Sequence, residues 1–387
     1  MRYWIIGAGP AGCTLARALA EGTGAQVQVL ERRAHIAGNA YDEPDAAGVL
    51  VHRYGPHIFH TADAQAQAFL SRFTQWHPLH HRVLANVHGQ LLPVPFNLRS
   101  LRMAFDPDTA ARMEAALRTA FGEGARVSIL ALRAREEPLL RALAEYVYEN
   151  VFVHYTQKQW DAAPDALDPA AMARVPVLVS EDDRYFQDPW QGMPADGYTA
   201  MFARMLDHPG IHVTLQADAC ERLKLCGQTL WLDGAPCAEP VIYTGALDEL
   251  MGFAFGRLPY RTLDFAFETF AQDAFQPVGV VNYTVSEAFT RITEFKKLTG
   301  QHLPGVTTIA REYPRACQAG DIPYYPIPDA QSTARYQRYR EQAQRCQNLH
   351  LLGRLAEYRY YNMDAIVGCA LTLAEALGRA AQTQGEG

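Results

Sequence analysis

The sequence predicts an α/β chain: a Rossmann-like dinucleotide-binding unit, a mainly helical insertion and an antiparallel β-sheet. Three observations carry that expectation. The chain opens on strand, glycine turn, helix, strand and acid. Helical periodicity then dominates residues 106–153, and short strand-like segments rich in Gly, Pro and aromatics follow from about residue 185.

Residues 2–6 are a short apolar strand, followed by Gly7-Ala8-Gly9-Pro10-Ala11-Gly12. Residues 13–19 have helical character, 26–30 form a second strand, and Glu31 ends it. In such a turn Gly7 and Gly9 let the main chain approach a pyrophosphate, and Gly12 lets helix and strand pack closely. The helix N-terminus adds unpaired amides and partial positive charge. Glu31 is placed to accept from both ribose hydroxyls and to repel a 2′-phosphate, which argues against NADP.

Further on, a helix is expected over 63–73, and Ala, Leu and charged residues at helical spacing predict helices over 109–121 and 138–148. Residues 211–215, 229–232 and 241–243 read as strands; 263–270, 278–283, 291–295 and 307–312 read as an antiparallel sheet. A polar, arginine-rich helix over 331–347, a returning strand over 349–352 and an apolar-faced helix over 363–378 close the chain. The expected units are 1–65 (dinucleotide unit, first segment), 80–180 (mainly helical, with the nucleotide site), 181–250 (dinucleotide unit and sheet), 251–325 (antiparallel sheet) and 326–387 (dinucleotide unit, final segment).

With 387 residues, 49% hydrophobic and 20% charged, the composition is that of a globular protein with a substantial core. A net charge of -7 argues against a general nucleic-acid surface. Apart from Lys158, Lys224, Lys296 and Lys297 the basic residues are arginines, which suits bidentate phosphate binding, although genome base composition is the blander cause. Cys13, Cys220, Cys226, Cys237, Cys317, Cys346 and Cys369 are scattered without a C-x-x-C pair, and read as reduced thiols. No apolar run reaches membrane-spanning length, and the strand at 2–6 leaves no room for a signal peptide, so a cytoplasmic location away from membranes is expected.

Glu31-Arg32-Arg33 continues into Ile36-Ala37-Gly38-Asn39-Ala40. An acid, a basic residue and a glycine pair resembles the FAD fingerprint of the glutathione-reductase-2 flavoproteins, with Ala37-Gly38 in place of Gly-Gly. Leu351-Leu352-Gly353-Arg354 is a strand ending in Gly-Arg, so Arg354 can pair with the FAD pyrophosphate. Tyr243-Thr244-Gly245 reads as a further pass beside the cofactor.

Longer motifs extend the resemblance. His52-Arg53-Tyr54-Gly55-Pro56-His57-Ile58-Phe59-His60-Thr61, Tyr155-Thr156-Gln157-Lys158-Gln159-Trp160, Trp190-Gln191-Gly192-Met193-Pro194 and Gly353-Arg354-Leu355-Ala356-Glu357-Tyr358 resemble, in order and spacing, the UDP-galactopyranose mutase family. The resemblance implies an FAD domain of separated segments, a helical domain carrying the uridine site and a twisted antiparallel sheet. It implies that Arg174 and Arg291 hold a diphosphate, with Tyr185, Tyr325 and Tyr360 reaching phosphate or sugar. Phe152, Tyr155, Thr156 and Trp160 would meet base and ribose, and Asn282 the substrate. Besides the glycines and Glu31, it places Arg32, Asn39, His57, His60, Thr244, Gly245, Arg354, Asn362 and Met363 at the cofactor. His57 and His60 are three apart, so a helix would put both on one face, but no third ligand accompanies them and no metal is expected.

The implied activity is an isomerase interconverting UDP-galactopyranose and UDP-galactofuranose. Reduced FAD N5 attacks sugar C1, displaces the nucleoside diphosphate, and the adduct opens and recloses through another hydroxyl. An external reductant such as NAD(P)H, a homodimer, and a place in cell-surface glycan biosynthesis or secondary metabolism come with the resemblance. Tyr360-Tyr361-Asn362-Met363 departs from the family's Tyr-Tyr-Asp-Met, His81 stands where members tend to carry Asn, and 178–184 differs. Asn362 either touches the sugar or caps the last helix. Mutases for UDP-N-acetylgalactosamine or dTDP-fucose are therefore alternatives. A flavin oxidase of the same fold and a non-catalytic FAD-bound paralogue are the rival classes.

Overall fold

Five strands form a parallel sheet in the spatial order Ile211–Thr214, Gln26–Leu30, Arg2–Ile6, Val241–Tyr243, Leu349–Leu351. The computed structural model describes residues 1–160, 176–327 and 329–385. Strands from the start, middle and end of the chain therefore lie side by side. One face of the sheet buries Tyr3, Ile5, Val27 and Val29 in the same core as Leu15 and Leu19 of the helix Pro10–Thr23 and Val367 and Ala370 of Met363–Gly385. The other face buries Ile6, Leu30, Val241 and Tyr243 with Tyr336, Tyr339 and Ala343 of Ala330–Ala343. Each buried Val, Leu or Ile among these stabilises the fold by roughly 1.5–3 kcal/mol relative to exposure. The polar helix Ala330–Ala343 belongs here because Ser332, Tyr336, Tyr339 and Ala343 recur at helical spacing and form one inward stripe. Asp329 and Ser332 close its capping box.

The second sheet has seven strands in the order Tyr325–Pro326, Tyr260–Phe270, Thr307–Ala316, Arg291–Glu294, Val280–Tyr283, Val83–Val87, Gln90–Val94. Two corrections follow. The region 80–180 is not helical at its start: it opens with the hairpin Val83–Val87/Gln90–Val94. The sheet is not antiparallel throughout either, because Val83–Val87 pairs parallel with Val280–Tyr283. Pro93 and Pro95 argue against a strand in the sequence, yet Gln90–Val94 is an edge strand, where a missing N–H costs little. The turn signal was His88-Gly89, both with positive φ.

Helices Pro107–Phe121 and Pro138–Val147 each start at a proline behind a capping carboxylate, Asp106 or Glu137. A π-helical turn, Tyr148–Val153, then leads into His154–Trp160. That helix is latched to the seven-stranded sheet. Lys158 Nζ donates to the carbonyls of Tyr283 (2.6 Å) and Glu287 (3.0 Å), and Arg261 donates to those of Gln159 (3.0 Å) and Lys158 (3.1 Å). Two cations at the helix C-terminus also oppose its dipole favourably.

Candidate active site

The glycine turn, Glu31, the Ala37-Gly38 turn and the Gly353-Arg354 turn converge on one cavity that opens to solvent. Gly7 has φ +105°, and a Cβ there would lie 2.1 Å from Thr244 Oγ1; a Cβ on Gly12 would lie 1.9 Å from the Gly7 carbonyl oxygen. These two glycines are required by the protein itself. A Cβ on Gly9 would meet only Gly38 Cα, at 3.7 Å, an ordinary contact. The open space beside Gly9 fits a ligand lying against the main chain. Ala37 adopts φ +72° before Gly38, so alanine occupies a left-handed position that glycine fills more easily.

Glu31 is buried and held by two main-chain amides. Its Oε2 accepts from Ala8 N (2.8 Å) and its Oε1 from Arg33 N (2.9 Å), which leaves a lone pair on each oxygen for a diol. Arg33 donates to Asn39 Oδ1 (2.7 Å), lies over the Tyr54 ring (4.4 Å), and keeps Nη1 sealed from solvent without a partner among the described residues. A buried guanidinium nitrogen facing no acceptor beside a glycine turn fits a bound phosphate. Arg354 donates to the Tyr361 carbonyl (2.7 Å) and sits 4.5 Å from the Tyr360 ring centroid. The cavity's glycines, diol acceptor and phosphate donors thus match the parts of a dinucleotide.

Of the residues expected at the cofactor, Gly7, Gly9, Glu31, Arg32, Gly38, Asn39, His57, Thr244, Gly245, Arg354 and Met363 line this cavity. Gly12, His60 and Asn362 do not. Gly12 lies behind the turn it supports. His60 is drawn away by Asp188, its Nδ1 lying 2.7 Å from Oδ2, and stacks on Phe186 at 3.6 Å. Asn362 is exposed, and its carbonyl accepts from Ile366 N (3.1 Å), which makes it the residue that opens the last helix. His57 and His60 share no helix: His57 lies in a loop and His60 in the strand Phe59–Thr61. Among the described residues no group of three or more His, Cys, Asp or Glu could hold a metal ion. Sequence reading missed Arg33, Tyr324 and Cys220 in the lining. Arg33 had a usable signal, since it follows Glu31-Arg32 directly; Tyr324 and Cys220 did not.

Next to this cavity the seven-stranded sheet presents a polar row. Register aligns Asn282 with Arg291, and Arg291 with Glu312. Arg291 Nη2 donates to Tyr155 Oη (2.7 Å), and its Nε lies 3.4 Å from Glu312 Oε1. Burial raises the Glu312 carboxyl above the usual range, with Arg291 pulling against it. Burial likewise pushes the Tyr155 phenol up to about 12, so it stays a neutral donor. Tyr185 and Tyr325 are also close enough to act electrostatically on Arg291. Tyr325 in turn packs 5.8 Å from Tyr360, the ring under Arg354. The expected set Arg291, Tyr155, Tyr185, Tyr325, Tyr360 and Asn282 is thereby joined to the cofactor cavity. Asn282 Oδ1 is sealed without a partner among the described residues.

Phe152 and Thr156 are buried on the same stretch as Tyr155, at i, i+3 and i+4, so the three share a face. Phe152 stacks against Tyr148 at 6.0 Å. Arg174 lies outside the described residues, as does the side chain of Trp160. Glu312 was missed by sequence reading; its signal was an acid at a buried strand position opposite Arg291. His81 is buried against Tyr185 (5.8 Å) and Phe186 (5.7 Å); burial, then Arg291 and His60, lower its pKa to about 3.

Comparison with known proteins bears on both halves of the site. A family model described as UDP-galactopyranose mutase matches residues 150–360, and one described as an NAD(P)-binding Rossmann-like domain matches residues 5–73. The chain is 37% identical over 377 residues to a probable UDP-galactopyranose mutase of Klebsiella pneumoniae, covering 96% of this chain and 93% of that one. It is 34% identical to the dTDP-fucopyranose mutase of Escherichia coli, covering 96% of this chain and 97% of that one. A crystal structure of reduced UDP-galactopyranose mutase aligns with TM-score 0.72 at 15% identity, covering 97% of this chain and 93% of that one. A putative protoporphyrinogen oxidase from Exiguobacterium aligns with TM-score 0.62 at 14% identity, covering 98% and 99%. These two likenesses show the fold, which oxidases share. The sequence relatives and the matched model are more specific: the chain belongs to the UDP-galactopyranose mutase family, an isomerase family whose membership makes a flavin the fitting occupant of the glycine-lined cavity.

Proposed function

We propose that this protein interconverts the pyranose and furanose forms of a nucleotide sugar, with UDP-galactose the first substrate and dTDP-fucose the second to test. One observation carries the reading: the Arg291–Tyr155–Glu312 cluster is joined through Tyr325 and Tyr360 to Arg354 of the cofactor cavity. An anion site thus adjoins the cofactor instead of standing apart from it.

When bound and reduced, FAD supplies an electron-rich nitrogen able to displace the nucleoside diphosphate from the anomeric carbon. The chain's own residues do the rest. Glu31 accepts the ribose diol, and Arg33 and Arg354 hold the cofactor pyrophosphate. Arg291 retains the substrate diphosphate through Nη1, which has no partner among the described residues, while Tyr155 and Tyr325 donate beside it. Arg174 is proposed as the second guanidinium. Phe152, Thr156 and Trp160 hold the base, and Asn282 Oδ1 accepts from the substrate. Glu312 offsets the charge of Arg291 while the site is empty of phosphate. His81, buried beside Arg291 and Tyr185, is the observation that favours a sugar other than galactose.

The test is conversion by FAD-reconstituted protein under dithionite, with pyranose and furanose forms of UDP-galactose, UDP-N-acetylgalactosamine and dTDP-fucose. Interconversion only under reduction, without net electron consumption, is expected. Oxygen-dependent substrate loss would point to an oxidase. A cytoplasmic homodimer kept reduced by a donor such as NAD(P)H, and serving cell-surface glycan synthesis, completes the proposal. No helix among the described residues is long and apolar enough to cross a membrane. The proposed units keep the expected boundaries, with the 83–94 hairpin reassigned to the sheet unit.

A further inference from the structure

Behind the cavity wall lies a histidine that the proposed reaction does not use. His52 is fully buried, and its Nδ1 accepts the main-chain N–H of His57 at 3.1 Å. His57 lines the cofactor cavity, and its own Nδ1 lies 2.9 Å from the Gly55 carbonyl oxygen. A carbonyl only accepts, so this Nδ1 carries the proton. Burial lowers the pKa of His57 to about 3 and that of His52 to about 4, so both rings are neutral at ordinary pH. His57 Nε2 is then an unprotonated acceptor, with no partner among the described residues. His52, whose Nδ1 is an acceptor, must carry its proton on Nε2, which lies 3.9 Å from Asp42 Oδ2. Asp42 is itself fixed by the amides of Tyr198 (2.6 Å) and Thr199 (2.8 Å) at the start of the helix Tyr198–Leu206. At that distance Nε2 makes no hydrogen bond and stays sealed without a partner among the described residues, so the bond from the His57 amide is what ties the His52 ring to the cavity wall.

His57 shares the cavity with Arg354, whose guanidinium covers Tyr360, so this wall adjoins the substrate cluster. A flavin held in this cavity would bring its reactive ring to that junction if it is to meet the substrate. Reduction adds N–H donors to an isoalloxazine, so an acceptor nitrogen of His57 turned toward it would favour the reduced ring. We propose that His52 is a positioning residue: by accepting the His57 main-chain N–H it holds the His57 imidazole so that an acceptor nitrogen alone meets the bound cofactor, biasing the flavin toward its reduced form. The inference rests on the flavin reading of the cavity but not on the identity of the sugar.

The experiment measures the midpoint potential of the FAD-loaded protein anaerobically against a reference dye. His52→Leu removes the acceptor, whereas His52→Asn keeps one near the position of Nδ1. In H52L the reduced-to-oxidised ratio at fixed potential should fall about tenfold, or about 30 mV for a two-electron couple. H52N should stay within about threefold of the parent, and H52L placed in a His57→Ala background should add less than about threefold. An unshifted H52L, or an equal shift with His57 absent, overturns the proposal. Should H52L fail to fold, ¹⁵N shifts of the histidine rings in the unmodified holoprotein decide the matter. His57 is expected as the Nδ1–H tautomer and His52 as Nε2–H; an Nε2–H tautomer at His57 overturns the inference. Protein that takes up no FAD would sink the cofactor reading and this proposal with it. A potential shift without mutase activity would sink only the substrate reading.

Discussion

Replacing Arg291 tests the anion site most directly. Its Nε faces Glu312 at 3.4 Å and one Nη2 hydrogen is given to Tyr155, which leaves Nη1 for a diphosphate. Two charge-assisted hydrogen bonds from Nη1, each contributing about 1.5–3 kcal/mol, give about 3–6 kcal/mol of retained-phosphate stabilisation. Arg291→Ala should therefore lower kcat/KM by about a hundredfold or more, taking roughly 1.4 kcal/mol per tenfold. R291A also strands Glu312, whose side chain is only 3% exposed. Breaking a buried pair costs about 3–5 kcal/mol, less here because the Glu312 carboxyl is already pushed up and protonates readily. The double variant R291A/E312Q should regain most of the lost thermal stability and none of the activity. Chromatographic assay of furanose-to-pyranose conversion under dithionite gives kcat/KM, and a thermal melt gives stability. The reasoning fails if R291A retains activity within about threefold of the parent, or if R291A/E312Q recovers turnover along with its melting temperature.

Gly9→Ala should leave the melting temperature of the apoprotein unchanged while weakening FAD retention, because the added Cβ meets open ligand space; Gly12→Ala should lower both, because its Cβ meets the Gly7 carbonyl oxygen at 1.9 Å. Flavin absorbance per protein together with apoprotein melts checks this pair, and equal behaviour of the two variants contradicts it. Lys158→Met removes the bonds to the Tyr283 and Glu287 carbonyls that latch the helix bearing Tyr155 and Thr156, so KM should rise severalfold at unchanged flavin content; a purely kcat effect would refute the latch. His81 is neutral in the fold, with a pKa of about 3 against about 6.5 unfolded, so its stabilisation is present above pH 6.5 and is lost as pH falls. Between pH 7 and pH 5 the parent should lose about 2 kcal/mol more than His81→Asn, measured by denaturant titration at each pH. Parallel curves would show that His81 titrates normally.

Much of the fold was legible because its signals are local. The strands Arg2–Ile6 and Gln26–Leu30 lie where apolar runs flank Gly7-x-Gly9-x-x-Gly12, and Ala330–Ala343 where polarity and helical spacing coincide. The hairpin Val83–Val94 was not, because proline penalises an interior strand and the sequence does not reveal which strand is an edge. At the site, residue type singled out Glu31, which lines the cavity, and Arg291, Tyr155 and Tyr325, which the structure brings together. Motif position set Gly12 apart from Gly9 but not Gly7 from Gly9: both were expected to serve a ligand, whereas Gly7 is already required by Thr244 of the protein itself.

The sequence by itself determined the glycine turn with its acid, the run of strands and helices, and the stock of arginines and tyrosines, since each depends on residues within a few positions of one another. Tertiary structure alone decided which of them meet. Asn282, Arg291 and Glu312 form one row through strand register. Asp188 turns His60 away from the cavity, and a buried neighbour five residues back, His52, holds the main chain of His57 at the cavity wall. Pairing and burial are set by segments far apart in the chain, and no local pattern encodes their distance.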